Sequence, residues 1–305
     1  MKKNRFEEIK RCDLCGKEKT EFFLQAEDRN YQTGKFKYIR CCNCKLVWLS
    51  PRPVEAVLGQ YYPKIYRAHL AVEQTSPIQK TIRSLIYESS ILSKIFIKDQ
   101  LFFWKEKGKI LDVGTGNGRY LEVLKGWGFD SYGLEISPDV VKNAKKNGIQ
   151  NIEQGVLLTS KYPNGTFDVI RFSHVIEHVP SPKKELLKTN KLLKKKGKVI
   201  ILIPNLKSFF FNIFRSYWYP LDPPRHFYHF TPKIIERYLK ECGFRKIEIK
   251  YTQSPYTLIR SLQYLMGSKK VEKRYGLLIY PLGLLVRIFD KLKLSDVIEV
   301  VAIKE

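Results

Sequence analysis

Five of the six cysteines lie before residue 45. Four of them form two Cys-x-x-Cys pairs, Cys12 with Cys15 and Cys41 with Cys44, twenty-five residues apart. Four thiolates at this spacing close a tetrahedron around Zn²⁺ and leave no position for water, so the pattern predicts a structural metal site, not a catalytic one. Disulfides are the competing pairing, but they need an oxidising compartment. The amino terminus, MKKNRFEEIKRCDLC, is basic without an apolar h-region, and the expectation is a cytoplasmic protein. Cys42 and Cys242 stand outside the quartet and read as small buried hydrophobes.

A second chemical feature is the loop Gly114-Thr115-Gly116-Asn117-Gly118, with Asp112 two residues before its first glycine and Glu135 further on. Glycines let a backbone approach a ligand closely and take positive φ. A helix starting after them aims free N–H groups at whatever sits there. Glu135 closes the next apolar run, where a carboxylate accepts from both hydroxyls of a ribose. A nucleoside ligand follows. The spacing lacks the two-residue gap of Gly-x-Gly-x-x-Gly, and the acid at 112 suits a cationic ligand better than a pyrophosphate.

The elements that position these groups alternate. A short apolar strand spans 109–113, helical spacing spans 119–127, a second strand spans 131–135, and Ser137-Pro138 opens another helix. Such alternation builds a parallel sheet with its ligand at the carboxyl ends of the strands. From 50 to 107 the sequence reads as a helical connector with apolar residues at helical offsets.

The loop resembles the first motif of the class I S-adenosylmethionine-dependent methyltransferases, and the resemblance continues through FDVIRFSHVIEHVPSP, LLKKKGKVIILIPN, FTPKIIERYLKECGFRKIEIKY and DVIEVVAIKE, taken as fourth to seventh strands with their helices. With the paired knuckles in front, the chain is similar to bacterial sugar and cell-surface glycan methyltransferases that carry an N-terminal zinc-binding domain. The resemblance implies an α/β fold: a Rossmann-like seven-stranded methyltransferase sheet, its last strand antiparallel, with a small N-terminal zinc-binding domain. The domains expected are a four-cysteine zinc-binding unit at 1–55, a helical connector at 56–107, and a methyltransferase domain at 108–305 with an aromatic substrate-covering insertion at 206–230. The implied S-adenosylmethionine contacts are Asp112, Gly114, Thr115, Gly116, Asn117, Gly118, Glu135, Ile136, Val156 and Ser173. Val156 stands where the family usually carries an acid for the adenine, so it offers only backbone contacts.

Methyl transfer to a hydroxyl requires a base, and the chain has five histidines. His69 lies in the connector. His174 and His178 share one helical turn with Glu177 beyond the fourth strand, where they either act or pack. His226 falls in the insertion beside Arg225, which suits a sugar bearing an anionic group. Related sugar C-methyltransferases have Tyr-His-Glu-His near this place, but Pro223 and Arg225 occupy its tyrosine and glutamate positions, so O-methylation with His226 as base is the expectation.

Lys and Arg outnumber Asp and Glu by 55 to 30, a formal charge of +25. That invites a polyanion, yet no basic-aromatic stripe or Asn/Asp-Pro-Pro-Tyr tetrapeptide favours RNA over a small-molecule or glycan acceptor. The apolar stretch 276–289 is short, broken by Pro281 and charged at Arg287. It reads as a buried or interfacial helix pair, with peripheral contact to the inner membrane face or methylation of a lipid quinone as alternatives. Nothing in the sequence bears on oligomeric state.

Overall fold

In the computed structural model the described residues are 5–62, 107–267 and 288–305. Most of the expected connector, with His69, and all of 276–289 except Ile288 and Phe289 lie outside them. No helix among the described residues is long and apolar enough to cross a membrane.

Seven strands form the main sheet: β6 (Lys109–Val113), β7 (Asp130–Glu135), β8 (Ile152–Gln154), β9 (Phe167–Ser173), β10 (Leu193–Pro204), β12 (Phe244–Thr252) and β13 (Val297–Lys304). Their order is β12-β13-β10-β9-β6-β7-β8. The five strands from β10 to β8 run parallel, and β13 lies antiparallel between β10 and β12. The sheet therefore has its topological switch between β6 and β9, where ligands bind at the carboxyl ends of such sheets. Strands β6 and β9 read as continuous apolar runs because both of their faces are covered.

The N-terminal unit has the two-stranded pair β1 (Phe6–Glu7) and β5 (Arg52–Pro53), a second sheet of β2 (Thr20–Glu27), β3 (Lys35–Cys41) and β4 (Val47–Leu49), and the single-turn helix α1 (Glu55–Leu58). The fourth strand of that second sheet comes from the distant insertion. Strand β11 (Tyr228–His229) pairs antiparallel with β4, Tyr228 opposite Trp48 and His229 opposite Val47. The core is continuous in the same way, running from Cys12, Tyr38 and Trp48 through Phe211, Trp218 and Phe230 to Ile201 and Val300.

Helices cover the main sheet on both sides. On one face, α2 (Arg119–Gly126) and α3 (Pro138–Lys146) bury Leu121, Leu124, Val141 and Ala144 against Ile110 and Val169. On the other face lie α4 (Pro182–Leu192) and α6 (Pro232–Glu241). Both start with a side-chain cap followed by proline: Ser181 accepts from the Lys184 N–H and Thr231 from the Ile234 N–H.

The aromatic insertion supplies the seam between the units. It folds into α5 (Phe209–Phe214) and two 3₁₀ turns before β11, and it buries Phe210, Phe211, Phe214, Trp218 and Phe227. Aromatic surface that the sequence offered to a substrate is thus spent on joining the two units.

Candidate active site

At the end of β6 the chain enters the glycine loop with φ of 68° at Gly114, 59° at Gly116 and 73° at Gly118. These values favour glycine over any L side chain. A Cβ at Gly114 would stand 2.5 Å from Val175, so the loop lies directly against the turn that follows β9. Glu135 is buried at the end of β7, its Oε2 accepting from the Gly116 N–H at 3.0 Å and its Oε1 from the Ser137 N–H at 2.9 Å. Each oxygen keeps a lone pair for a ribose hydroxyl. The Thr115 hydroxyl is buried without a partner among the described residues. A tight cradle with an unpaired hydroxyl and a fixed carboxylate fits the nucleoside half of S-adenosylmethionine.

The other expected contacts fall around this loop. Asn117 accepts from the Arg119 N–H at the start of α2, Val156 leads into the 3₁₀ turn Leu157–Thr159, Ser173 ends β9, and Ile136 is exposed. Asp112 makes an ion pair that sequence reasoning missed. Its Oδ1 accepts from Arg171 Nη1 at 2.8 Å, and both side chains are nearly buried. The signal was present: Arg171 stands between Ile170 and Phe172 in an otherwise apolar stretch of β9.

The segment 174–181 is a chain of turns and not the expected helical turn. His174 takes a positive φ of 55°, and its N–H donates to the Leu202 carbonyl. This brings its Nδ1 to 3.2 Å from Glu177 Oε1. A carboxylate only accepts, so Nδ1 carries the proton and the His174 Nε2 lone pair is free. The His174 side chain is 47% exposed, whereas Glu177 is fully buried and its Oε2 has no partner among the described residues.

His178 and His226 lie deeper, rings nearly perpendicular with centroids 4.5 Å apart. His178 Nδ1 donates to the Arg225 carbonyl at 2.9 Å, and His226 Nδ1 donates to the Pro220 carbonyl at 2.8 Å. Burial pushes both imidazoles down to about 4. They are neutral at physiological pH. One ligating atom each of Glu177, His178 and His226 lies within 4.8 Å of the others.

Arg225 does not serve an anionic acceptor as the sequence suggested. Its guanidinium is fully buried, bonded to Asp28 at 2.8 and 3.2 Å and to Asp222 at 2.6 and 2.8 Å. Two carboxylates saturate it, and Arg225 in turn pulls the buried Asp222 carboxyl down to about 2. The arginine instead ties Asp28 of the N-terminal unit to the insertion.

The four cysteines converge as their spacing predicted, all four sulfurs within 4.8 Å. Cys12 and Cys44 Sγ are 3.4 Å apart, and Cys15 and Cys41 Sγ are 3.6 Å apart. Bonds of about 2.3 Å to a tetrahedral centre give edges of about 3.8 Å, whereas a disulfide needs about 2.05 Å. Each knuckle turns back on a left-handed residue four after its first cysteine, Gly16 and Lys45, whose N–H returns to the carbonyl of Cys12 and Cys41. A shared proton holds Cys44 down at about 5 and Cys12 well up.

A methyltransferase-domain family model matches residues 92–249, more than half of the chain. The chain belongs to this family. This methyltransferase is 29% identical over 147 residues to an uncharacterized protein of Methanocaldococcus jannaschii, covering 48% of this chain and 69% of that one. It is 25% identical over 158 residues to the ubiquinone biosynthesis O-methyltransferase of Burkholderia pseudomallei, covering 47% of this chain and 66% of that one. Alignment thus spans about two thirds of these relatives' length. Among solved structures, a methyltransferase from Archaeoglobus fulgidus superposes with a TM-score of 0.49 at 20% identity, covering 74% of this chain and 99% of that one. The methyltransferase is S-adenosylmethionine-dependent, and its seven-stranded sheet and antiparallel β13 are as the sequence predicted.

Proposed function

We propose that this methyltransferase acts on a hydroxyl oxygen, with His174 as general base and Glu177 holding it. The observation that carries this reading is the His174–Glu177 pair, set at the end of β9 against the glycine loop. Bound S-adenosylmethionine supplies a methyl group already activated on a sulfonium. Asp112 would hold its methionyl ammonium and Glu135 its ribose. His174 Nε2 takes the hydroxyl proton as the C–O bond forms and the C–S bond breaks, and buried Glu177 stabilises the imidazolium. His226, the base suggested by sequence, is only 7% exposed. The 47% exposure of His174 leaves it open to an acceptor.

The relatives from ubiquinone biosynthesis are O-methyltransferases, which supports the same atom. A phenolic hydroxyl asks less of an imidazole than a sugar hydroxyl does, and with Arg225 saturated the cation that the sequence set beside His226 is not left for an anionic sugar. We take a phenolic acceptor as first choice and the glycan hydroxyl as second. Incubation with methyl-labelled cofactor and separate phenol, nucleotide-sugar and RNA pools tests this. Label appearing as an ether in one of the first two supports it, and label on RNA or on nitrogen contradicts it.

Zn²⁺ is the metal we propose for the four cysteines, on the edge lengths above. A second reading of the histidine site rests on the buried, unpartnered Glu177 Oε2. One ring nitrogen each of His178 and His226 and one carboxylate oxygen of Glu177 make a two-nitrogen, one-oxygen set that suits a divalent cation. Binding of Co²⁺ beyond the one equivalent at the cysteines, lost in Glu177→Gln, separates this reading from the first.

A further inference from the structure

A buried ion pair spans the switch point of the sheet, Asp112 on β6 opposite Arg171 on β9. Ile170 and Phe172, on either side of Arg171, are fully buried. Buried pairs of this kind rarely stabilise a fold more than apolar residues of the same volume. The guanidinium is further committed to the ring face of Tyr120 in the first turn of α2, 4.0 Å from its centroid. Four elements that frame the cofactor cradle, namely β6, β9, α2 and the glycine loop, therefore meet at one charge pair. Asp112 Oδ1 is taken by Arg171, and no described residue donates to Oδ2.

We propose that Arg171 is a positioning residue for the methionyl end of S-adenosylmethionine. It fixes the Asp112 carboxylate through Oδ1 and leaves Oδ2 for the ammonium, and it keeps that carboxylate paired whenever the cofactor has left. A bare carboxylate in this place would stand buried and unpaired between turnovers, and would be free to rotate away from the ligand. The inference rests on the reading of Asp112 given above, and two ligands separate the two. S-adenosylhomocysteine carries the amino-acid half, whereas 5′-methylthioadenosine is the same nucleoside without it.

Calorimetric titration of the full chain with each ligand is the experiment. Arg171→Met is expected to weaken S-adenosylhomocysteine by about tenfold or more and 5′-methylthioadenosine by less than about twofold. Asp112→Asn should do the same, and the double variant should lose no more than the larger single loss, because both act through one contact. Arg171→Lys, which keeps the charge and is the fallback should the methionine variant not fold, should recover part of the binding. Equal weakening of both ligands in the Arg171 variants, or none, overturns the proposal. If Asp112→Asn also fails to distinguish the ligands, the reading of Asp112 falls with it; if only the Arg171 variants fail, that reading stands.

Discussion

Among single residues the proposed transfer to a hydroxyl turns on which histidine can act. The three near the cofactor cradle differ in solvent access and in what holds each ring. His174 is half open and backed by a carboxylate; His226 is buried and His178 partly buried, each with Nδ1 tied to a backbone carbonyl. Replacing His174 by Asn should lower turnover by about 10²-fold while leaving S-adenosylhomocysteine affinity within about twofold, a split read by initial rates and calorimetry. Glu177→Gln should lower turnover in the same direction. The buried pair also sets a pH dependence. Both imidazoles sit near 4 in the fold and near 6.5 when unfolded, so the unfolded chain binds more protons between those values. Stability should be level above about pH 6.5 and fall below it, by up to about 2.7 kcal/mol per pH unit if both titrate together. Urea midpoints at stepped pH check this, and a flat profile from pH 7 to 5 would count against buried neutral histidines.

Elements were legible in proportion to how local their signals are. The glycine loop, the capped prolines at Pro182 and Pro232 and the alternation of strand and helix are short-range features, and the sheet follows from them. The cysteine quartet was legible because two Cys-x-x-Cys knuckles are a short-range pattern that brings four sulfurs together. Strand β11 was not, since two residues become a strand only by pairing with Trp48 and Val47 from the far end of the sequence. An aromatic run such as FFFNIFRSYWY reads equally well as a lid or as a core, because hydrophobicity alone does not say what will cover it. Arg171 was visible as a charge inside an apolar strand and simply lacked a partner on the sequence map. Among the elements, the knuckles give a direct test. Removing the metal by chelation should release close to one Zn²⁺ per chain and expose four further reactive thiols. Cooperative unfolding should weaken at the same time, as followed by circular dichroism. Unchanged thiol reactivity would argue against the site.

For the whole molecule, the N-terminal unit is a structural part of the enzyme. It shares a sheet with the insertion through β4 and β11, and its Asp28 holds Arg225, whose carbonyl orients His178. Asp13, between Cys12 and Cys15, accepts from Ser181, Lys183 and Tyr238, so the first knuckle also clasps the start of α4 and the face of α6. Arg52 donates to the Pro180 carbonyl in the same turn segment. Removing the Asp28 carboxylate takes the acceptor from two buried guanidinium N–H groups while Asp222 still balances the charge, and Asp28→Ala should destabilise the chain by about 2 kcal/mol or more in chemical denaturation. The loss should appear in a single transition of both units; two separate transitions would contradict their coupling. Such a seam places the N-terminal unit beside the turn that follows β9, where that turn and the insertion meet.

Base-assisted transfer to a hydroxyl from this cradle meets its most direct test in one comparison. Single-turnover transfer of a labelled methyl group to an accepted hydroxyl compound is measured for the wild-type chain and for His174→Asn at saturating cofactor. An ether product is expected from the first and a rate lower by about 10²-fold in the second. Equal rates, or label bonded to nitrogen or carbon, would contradict a hydroxyl acceptor activated by His174.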